Sequence, residues 1–181
     1  MSGGFCDNYR FLAKYNRWIN ERVLLAGDAL GDETRKLERG AFFGSIHRTI
    51  SHLLVADQIW LRRFAGSGAA HGIRFTALES GVLDLPEGSR LDTVLFDDWA
   101  DVKAKRLALD VAIENWVAEM PPHFPELVMR YSNSKGIERA HPAWQALTHF
   151  FNHQTHHRGQ ATTLITQAGG DVGITDLIAL V

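Results

Sequence analysis

The sequence predicts an all-α protein: a four-helix bundle with a long loop between helices two and three and a small β-hairpin before helix four. Two observations support this fold class. Long stretches without internal proline carry apolar residues at three- and four-residue steps, the spacing of one helix face. Clusters of glycine, proline and small polar residues separate these stretches and would end the helices. The length of 181 residues fits a single domain, residues 1–181.

The first two helices are predicted over residues 5–30 and 45–64. The apolar face of the first consists of Phe5, Tyr9, Leu12, Ile19, Val23, Ala26 and Leu30. Gly31 ends this helix, and a polar link follows it. Ser45 is a good N-cap for the second helix, because its hydroxyl can accept a hydrogen bond from the first turn.

A long, glycine-rich connection, residues 66–90, follows the second helix. Loops of this length often line functional sites, so one hypothesis is that it covers the rim of a pocket. The alternatives are a plain spacer or part of a dimer contact. The third helix is predicted over residues 91–120, which contain neither proline nor glycine, and the prolines of "MPPHFPE" end it.

The segment before the fourth helix predicts a hairpin. Val128, Arg130 and Ser132 alternate with two large side chains, "SNSKG" supplies turn residues, and "IERAH" can return antiparallel. The fourth helix is predicted from Pro142 to Ala168, since proline is tolerated in the first turn and two glycines follow the end.

Composition and charge exclude several classes of partner. The net charge is −2, and no segment combines dense Lys/Arg with aromatic residues, so we expect no nucleic-acid partner. No run approaches the roughly 18 apolar residues of a membrane span, and the N-terminus lacks a signal-peptide pattern. The single cysteine, Cys6, excludes an intrachain disulfide. We therefore expect a cytoplasmic protein with no membrane partner.

The stretch "THFFNHQTHHRGQ" holds four of the nine histidines. His153 and His157 are four residues apart, so they lie about 40° apart on one helix face and can point at one ion. Their face is otherwise apolar, which predicts that both point into the bundle. A third ligand must come from another helix, and His52, which shares its face with small and apolar residues, is the best candidate. Three imidazoles would leave one position open, as in catalytic metal sites.

The alternative for each of these histidines is a hydrogen-bonded core residue without a metal. His47 and His156 fit a surface position or an outer contact better than a ligand position. A zincin-type protease is excluded, because Gln154 stands where that mechanism needs a glutamate base.

Several segments resemble the DinB-like (DinB/YfiT) superfamily. The fourth-helix string "FNHQTHHRGQATTLITQAGGDVG" is the most specific, and "FGSIHRTISHLLVADQIWLRRF" resembles the second helix of that family. The resemblance implies an up-down-down-up bundle, a homodimer, and a divalent metal, zinc or nickel, held by His52, His153 and His157. It also implies a small-molecule substrate, since some relatives are transferases that use low-molecular-weight thiols.

Three functions remain open: a metal-dependent thiol S-transferase, a metal-assisted hydrolase, and a non-catalytic metal-binding module. A hydrolase needs a carboxylate base near the metal; Asp57 is about 140° from His52 on its helix, whereas Asp7 and Glu21 are possible bases.

Three residues after the histidine pair carry further expectations. Gln160 is expected near the metal face, where it could bind a ligand or substrate. Arg158 is expected in a surface ion pair, with a substrate role as the alternative. Gly159 suggests the close approach of a neighbouring helix, because glycine inside a helix otherwise costs stability.

Overall fold

Four long helices form the body of the molecule, as predicted. The structure, a computed structural model, describes residues 4–79, 81–133 and 135–181. The long helices are α1 (Phe5–Asp28), α3 (Ile46–Ala70), α4 (Trp99–Glu119) and α5 (Ala143–Gln167), and a single-turn helix α2 (Asp32–Lys36) lies between the first two. The all-α bundle with a small hairpin is therefore confirmed. Within the described residues, no helix is long and apolar enough to cross a membrane.

Side-chain contacts give the directions of the helices. The helix α1 runs parallel to α5 and antiparallel to α4, and α3 runs parallel to α4 and antiparallel to α5, which is an up-down-down-up bundle. The contact pairs are Tyr9–Trp144 and Asn16–Arg158 for α1 and α5; Cys6–Met120 and Asp28–Trp99 for α1 and α4; His47–Trp99 and Phe64–Trp116 for α3 and α4; His52–His153 and Phe64–Phe150 for α3 and α5.

The predicted hairpin is present. Its strands, β1 (Val128–Ser132) and β2 (Glu138–Pro142), pair antiparallel with Val128 opposite Pro142 and Ser132 opposite Glu138. Ser134, in the predicted turn, lies outside the described residues. The backbone amide of Ala143 donates to the Leu127 carbonyl at 2.8 Å, which joins the hairpin to the start of α5.

The helix α3 is longer than predicted and takes the first residues of the predicted loop. The expected end was Phe64, but the helix continues to Ala70. Gly68 packs so closely that an added Cβ would lie 2.7 Å from the Phe75 ring and 2.9 Å from the Ile73 carbonyl oxygen. Gly68 therefore allows close packing inside the helix and does not mark the end of the helix. The rest of the connection contains two 3₁₀ turns, and Ser80 is outside the described residues.

The predicted start of the third helix was wrong. The helix α4 begins at Trp99, because the Asp98 carboxylate caps it by accepting from the Ala100 amide at 2.7 Å. Residues 91–98 form an extension of the connecting loop instead. The carbonyls of Leu91 and Phe96 accept hydrogen bonds from two imidazoles of α3, whereas a helix would have used those carbonyls internally.

The core is built from aromatic and aliphatic side chains of all four long helices. Its largest fully buried apolar members include Trp116, Tyr9, Phe64, Phe124 and Phe150. A buried polar layer crosses this core and contains Asn16 of α1, Asp57 of α3, Arg106 and Asp110 of α4, and Gln154 and Arg158 of α5. The histidine-rich face of α5 lies directly beside this layer, so the core fixes the helix that carries it.

Candidate metal centre

The structure brings together the three histidines that the sequence singled out. His52 lies on α3, and His153 and His157 lie one turn apart on the antiparallel helix α5. One nitrogen of each ring can be chosen so that all three lie within 4.8 Å of one another, and the Nε2 atoms of His52 and His153 are 3.2 Å apart. These three side chains could hold a metal ion.

Hydrogen bonds at the opposite ring nitrogens orient two of the imidazoles. His52 Nδ1 lies 2.7 Å from the Leu91 carbonyl oxygen, and His157 Nδ1 lies 2.8 Å from Gln160 Oε1. Because both oxygens accept, each Nδ1 carries the proton and donates it, which leaves the Nε2 lone pairs free for a metal. The carbonyl that orients His52 belongs to the segment that sequence analysis assigned to a helix.

The environment keeps these imidazoles neutral. Burial, with a smaller contribution from neighbouring histidines, lowers the pKa of His52 to about 4 and the pKa of His153 to about 3. Burial also lowers the pKa of His157 below its ordinary value. A neutral imidazole is the form that binds metal, so the group is in its ligand form at neutral pH. The donor set therefore fits a divalent transition-metal ion of the kind that imidazole binds.

Phe43, which sequence analysis missed, packs directly on the histidine group. Its ring is stacked on His52 with 3.9 Å between centroids, and its edge meets His157 at 5.4 Å. This residue lies in the segment between α2 and α3 that was interpreted as a polar link. Phe43 itself was the available signal, because a large aromatic side chain in a polar connection is often buried against the core. Its neighbour Phe42 is 82% exposed and lines the cavity.

The histidine group lies at the wall of an open cavity of about 1050 Å³. That volume is at the upper end of the range for small-molecule sites. The lining residues are Phe42, Phe43, His52, Ile59, Arg63, Ser89, Arg90, Leu91, Asp92, His153, His156, His157 and Gln160. Ser89 and Arg90 belong to the end of the long loop, so this part of the loop does lie at the rim.

The remaining histidines of the two helices have other partners. His47 is buried, with Nε2 2.8 Å from the Phe96 carbonyl oxygen, so the surface position considered for it is wrong. His156 is exposed and lines the cavity, where Gln160 connects it to His157 through hydrogen bonds at its amide nitrogen and oxygen. Gln160 therefore contacts the metal face as expected.

The expectations for Arg158 and Gly159 were wrong. Arg158 is buried, donates to Asn16 and to Thr155, and its pKa is lowered to about 10, mainly by burial. It forms neither a surface ion pair nor part of the cavity wall. Gly159 has no heavy atom within 4 Å of the position of an added Cβ, so no neighbouring helix approaches it.

None of the three carboxylates considered as bases lies at the cavity. Asp57 is 1% exposed and binds Arg106 and Gln154. Asp7 and Glu21 are exposed on α1, where each pairs with an arginine of the same helix. The described carboxylate that does line the cavity is Asp92, 3.6 Å from Arg90.

The fold and the site together define a class: a four-helix-bundle protein whose histidines, from two antiparallel helices, could hold a metal ion at an open cavity. The model of the DinB family matches residues 6–180, and the chain belongs to this family. It is similar to Protein DinB of Bacillus subtilis (strain 168), with 24% identity over 165 residues, covering 91% of this chain and 88% of that protein. No solved structure gives a significant match.

Proposed function

We propose that His52, His153 and His157 bind one divalent metal ion, zinc or nickel, and that the protein uses it as a metal-dependent enzyme. The observation that carries the proposal is the convergence of three neutral imidazoles, two of them oriented by hydrogen bonds at Nδ1, beside a cavity of about 1050 Å³. Three protein ligands facing a cavity leave a coordination position for a small molecule.

The proposed reaction is the transfer of a low-molecular-weight thiol to an electrophile. A divalent ion at the three histidines would lower the pKa of a thiol at the open position, so that it reacts as the thiolate. Leu91 and Gln160 would hold two of the imidazoles in place, and Phe43 would shield the His52 ring from water. In the reaction, a carbon–sulfur bond forms, the leaving group departs with its electron pair, and the thiol proton goes to solvent.

The choice between a thiol and a hydrolytic water rests on the carboxylates. A hydrolase needs a carboxylate that can take a proton from water near the metal. Asp57 is already bound to Arg106 and Gln154, and Asp92 is close to Arg90. A thiol needs no such base once its pKa is lowered, which supports the transferase over the hydrolase.

The test is the alkylation of small thiols by monochlorobimane, with metal-free protein and with protein reloaded with zinc or nickel. Each pKa unit by which the bound thiol is lowered raises its thiolate fraction about tenfold at neutral pH. We expect at least about a tenfold higher rate for the reloaded protein with at least one thiol. If the rate is the same with and without metal for every thiol, and esters are cleaved instead, the hydrolase is the better assignment. A non-catalytic module would bind metal and accelerate neither reaction.

We also propose a homodimer, as the family resemblance implies. Light scattering of the purified protein should give twice the chain mass of 20.3 kDa. A mass that stays at one chain over the whole accessible concentration range would contradict the dimer.

A further inference from the structure

Arg63 is a restrained cation on the wall of the same cavity. Its guanidinium lies 4.7 Å from the ring centroids of both Trp60 and Tyr131, which hold it by cation–π contacts. Its Nη2 donates to the Ser132 carbonyl of the hairpin at 3.1 Å. The side chain is half-buried and lines the cavity. These contacts fix the guanidinium in place, and among the described residues they use one hydrogen bond to protein.

The charge of Arg63 has no protein counter-ion among the described residues. Two arginines and one aspartate line the cavity, and Arg90 lies 3.6 Å from that aspartate, Asp92. Burial lowers the pKa of Arg63, and the smaller opposing effect comes from Tyr131. A partly desolvated guanidinium without a carboxylate partner is a site where a bound anion gains a charge-assisted hydrogen bond. One unpaired charge matches a carboxylate better than a doubly charged phosphate.

A line of ring contacts joins Arg63 to the histidine group. Trp60 lies beneath the guanidinium and eight residues after His52, a rise of about 12 Å along α3. The Trp60 ring contacts His149 of the facing helix α5, with 4.9 Å between ring centroids, and the His149 ring is 5.6 Å from that of His153. Arg63 and the three histidines therefore line one cavity, and the rise along α3 from His52 to Trp60, whose ring contacts the guanidinium, about 12 Å, sets the scale of their separation.

We infer that Arg63 binds a carboxylate of the small-molecule thiol whose sulfur lies at the three histidines. This inference rests on the proposed function and specifies its substrate class: an elongated thiol with a carboxylate about 12 Å from the sulfur. Arg63 is then a residue that determines specificity through binding, and it is remote from the reacting atoms.

The experiment uses cobalt-loaded protein, in which sulfur-to-cobalt absorption reports thiol binding without any turnover. The probes are 8-mercaptooctanoate and the neutral 8-mercapto-1-octanol, which have the same chain length, and 3-mercaptopropionate, which is too short to reach Arg63. The variants are Arg63→Gln, which keeps a donor for Ser132, and Arg63→Lys, which keeps the charge. Arg62→Gln is the matched control, since Arg62 is the adjacent exposed arginine outside the cavity lining.

We expect wild-type protein and the Arg62→Gln control to bind the long carboxylate about tenfold more tightly than the alcohol, the size of one charge-assisted hydrogen bond. Arg63→Gln should remove this preference, Arg63→Lys should keep part of it, and the short acid should bind all variants equally. Equal binding of the acid and the alcohol by wild-type protein, or an unchanged preference in Arg63→Gln, would overturn the inference.

The same experiment distinguishes a failure of the proposed function from a failure of this inference. If the proposed function is wrong, wild-type protein binds no cobalt, or binds cobalt without the sulfur-to-cobalt absorption of a bound thiol. If Arg63→Gln melts well below wild type, the comparison of acid and alcohol on wild-type protein and on Arg63→Lys decides the matter. A salt dependence of the preference in wild type would support the ionic contact.

Discussion

At the scale of single residues, the site depends on imidazoles that stay neutral at mildly acidic pH, where an exposed imidazole would be protonated. Burial is the main cause, because a charged ring at His52 or His153 would lose its hydration and face a second charged ring. The hydrogen bonds at Nδ1 of His52 and His157 then decide which nitrogen is free. Neutrality and orientation are both set before any ion binds, which favours metal binding.

This neutrality predicts how metal-free protein responds to acid. The pKa of His52 falls from 6.5 in the unfolded chain to about 4, and that of His153 from 6.5 to about 3. Both pKa values are lowered on folding, so the unfolded chain binds more protons, and the stability present above pH 6.5 is lost as the pH falls through 4 and 3. We expect the Tm of metal-free protein to fall progressively as the pH is lowered from 7 to 4.

The control for this measurement is the double variant His52→Gln/His153→Gln, which cannot take up these protons. Its Tm should depend less on pH over the same range, because the two imidazoles are gone while all other titratable groups are the same in both proteins. Parallel Tm curves for wild type and the double variant would show that the two histidines do not carry the acid sensitivity.

At the scale of elements, two glycines inside helices should respond to alanine in opposite directions. Gly68→Ala in α3 would push a methyl group into the Phe75 ring and the Ile73 carbonyl, which should destabilise the fold by about 1–3 kcal/mol. Gly159→Ala in α5 meets open space, so the better helix propensity of alanine should stabilise the fold by about 0.5–1 kcal/mol. Urea unfolding of metal-free protein measures both. A stabilised Gly68→Ala variant would contradict the packing described here.

The elements also show what the sequence could and could not predict. Apolar periodicity, stretches free of proline and glycine, and helix-ending residues identified the four long helices, and helix periodicity placed His52, His153 and His157 on inward faces, because all of these are local properties. The start of α4 at Trp99 was missed, since it depends on the Asp98 cap and on the distant imidazoles that bind the preceding loop. Phe43 and Arg63 were missed for the same reason: their contacts join segments far apart in the chain.

At the scale of the whole molecule, a buried polar layer connects the four long helices. Arg106 of α4 forms ion pairs with Asp57 of α3 at 2.6 Å and with Asp110 at 2.9 Å, and all three side chains are at most 2% exposed. Asn16 of α1 donates to Asp110, and Gln154 of α5 donates to Asp57. Gln154 follows His153 directly, so this layer also fixes the turn of α5 that carries the site.

Replacement of Arg106 should therefore destabilise the fold severely. Arg106→Met would leave two buried carboxylates without their cation, and we expect a loss of about 3–5 kcal/mol in the free energy of unfolding. The control is Arg17→Met, which breaks partly exposed pairs with Glu21 and Glu114 and should cost about 1 kcal/mol or less. Equal effects of the two variants in chemical denaturation would mean that the buried layer does not hold the bundle together.

The bundle should fold without a bound metal ion. The core spans all four long helices and is large enough to be stable alone, while binding to the folded state adds stability by mass action. We expect protein treated with a chelator to keep its helical circular dichroism and to melt at a lower temperature than metal-loaded protein. An unfolded chain after chelation would contradict this account.

The most direct test of the central claim is the metal content and affinity of wild-type protein and of His52→Ala, His153→Ala and His157→Ala. The control is His149→Ala, which removes an exposed histidine one turn before His153 on the same helix and outside the three-histidine group. Loss of a residue that hydrogen-bonds to a metal ligand typically lowers metal affinity 10–100-fold, so loss of a ligand itself should lower it about 100-fold or more. Elemental analysis and competition titration should give one ion per chain in wild type and the control, with affinity lost in all three variants. Wild-type affinity in any one of the three would contradict the site.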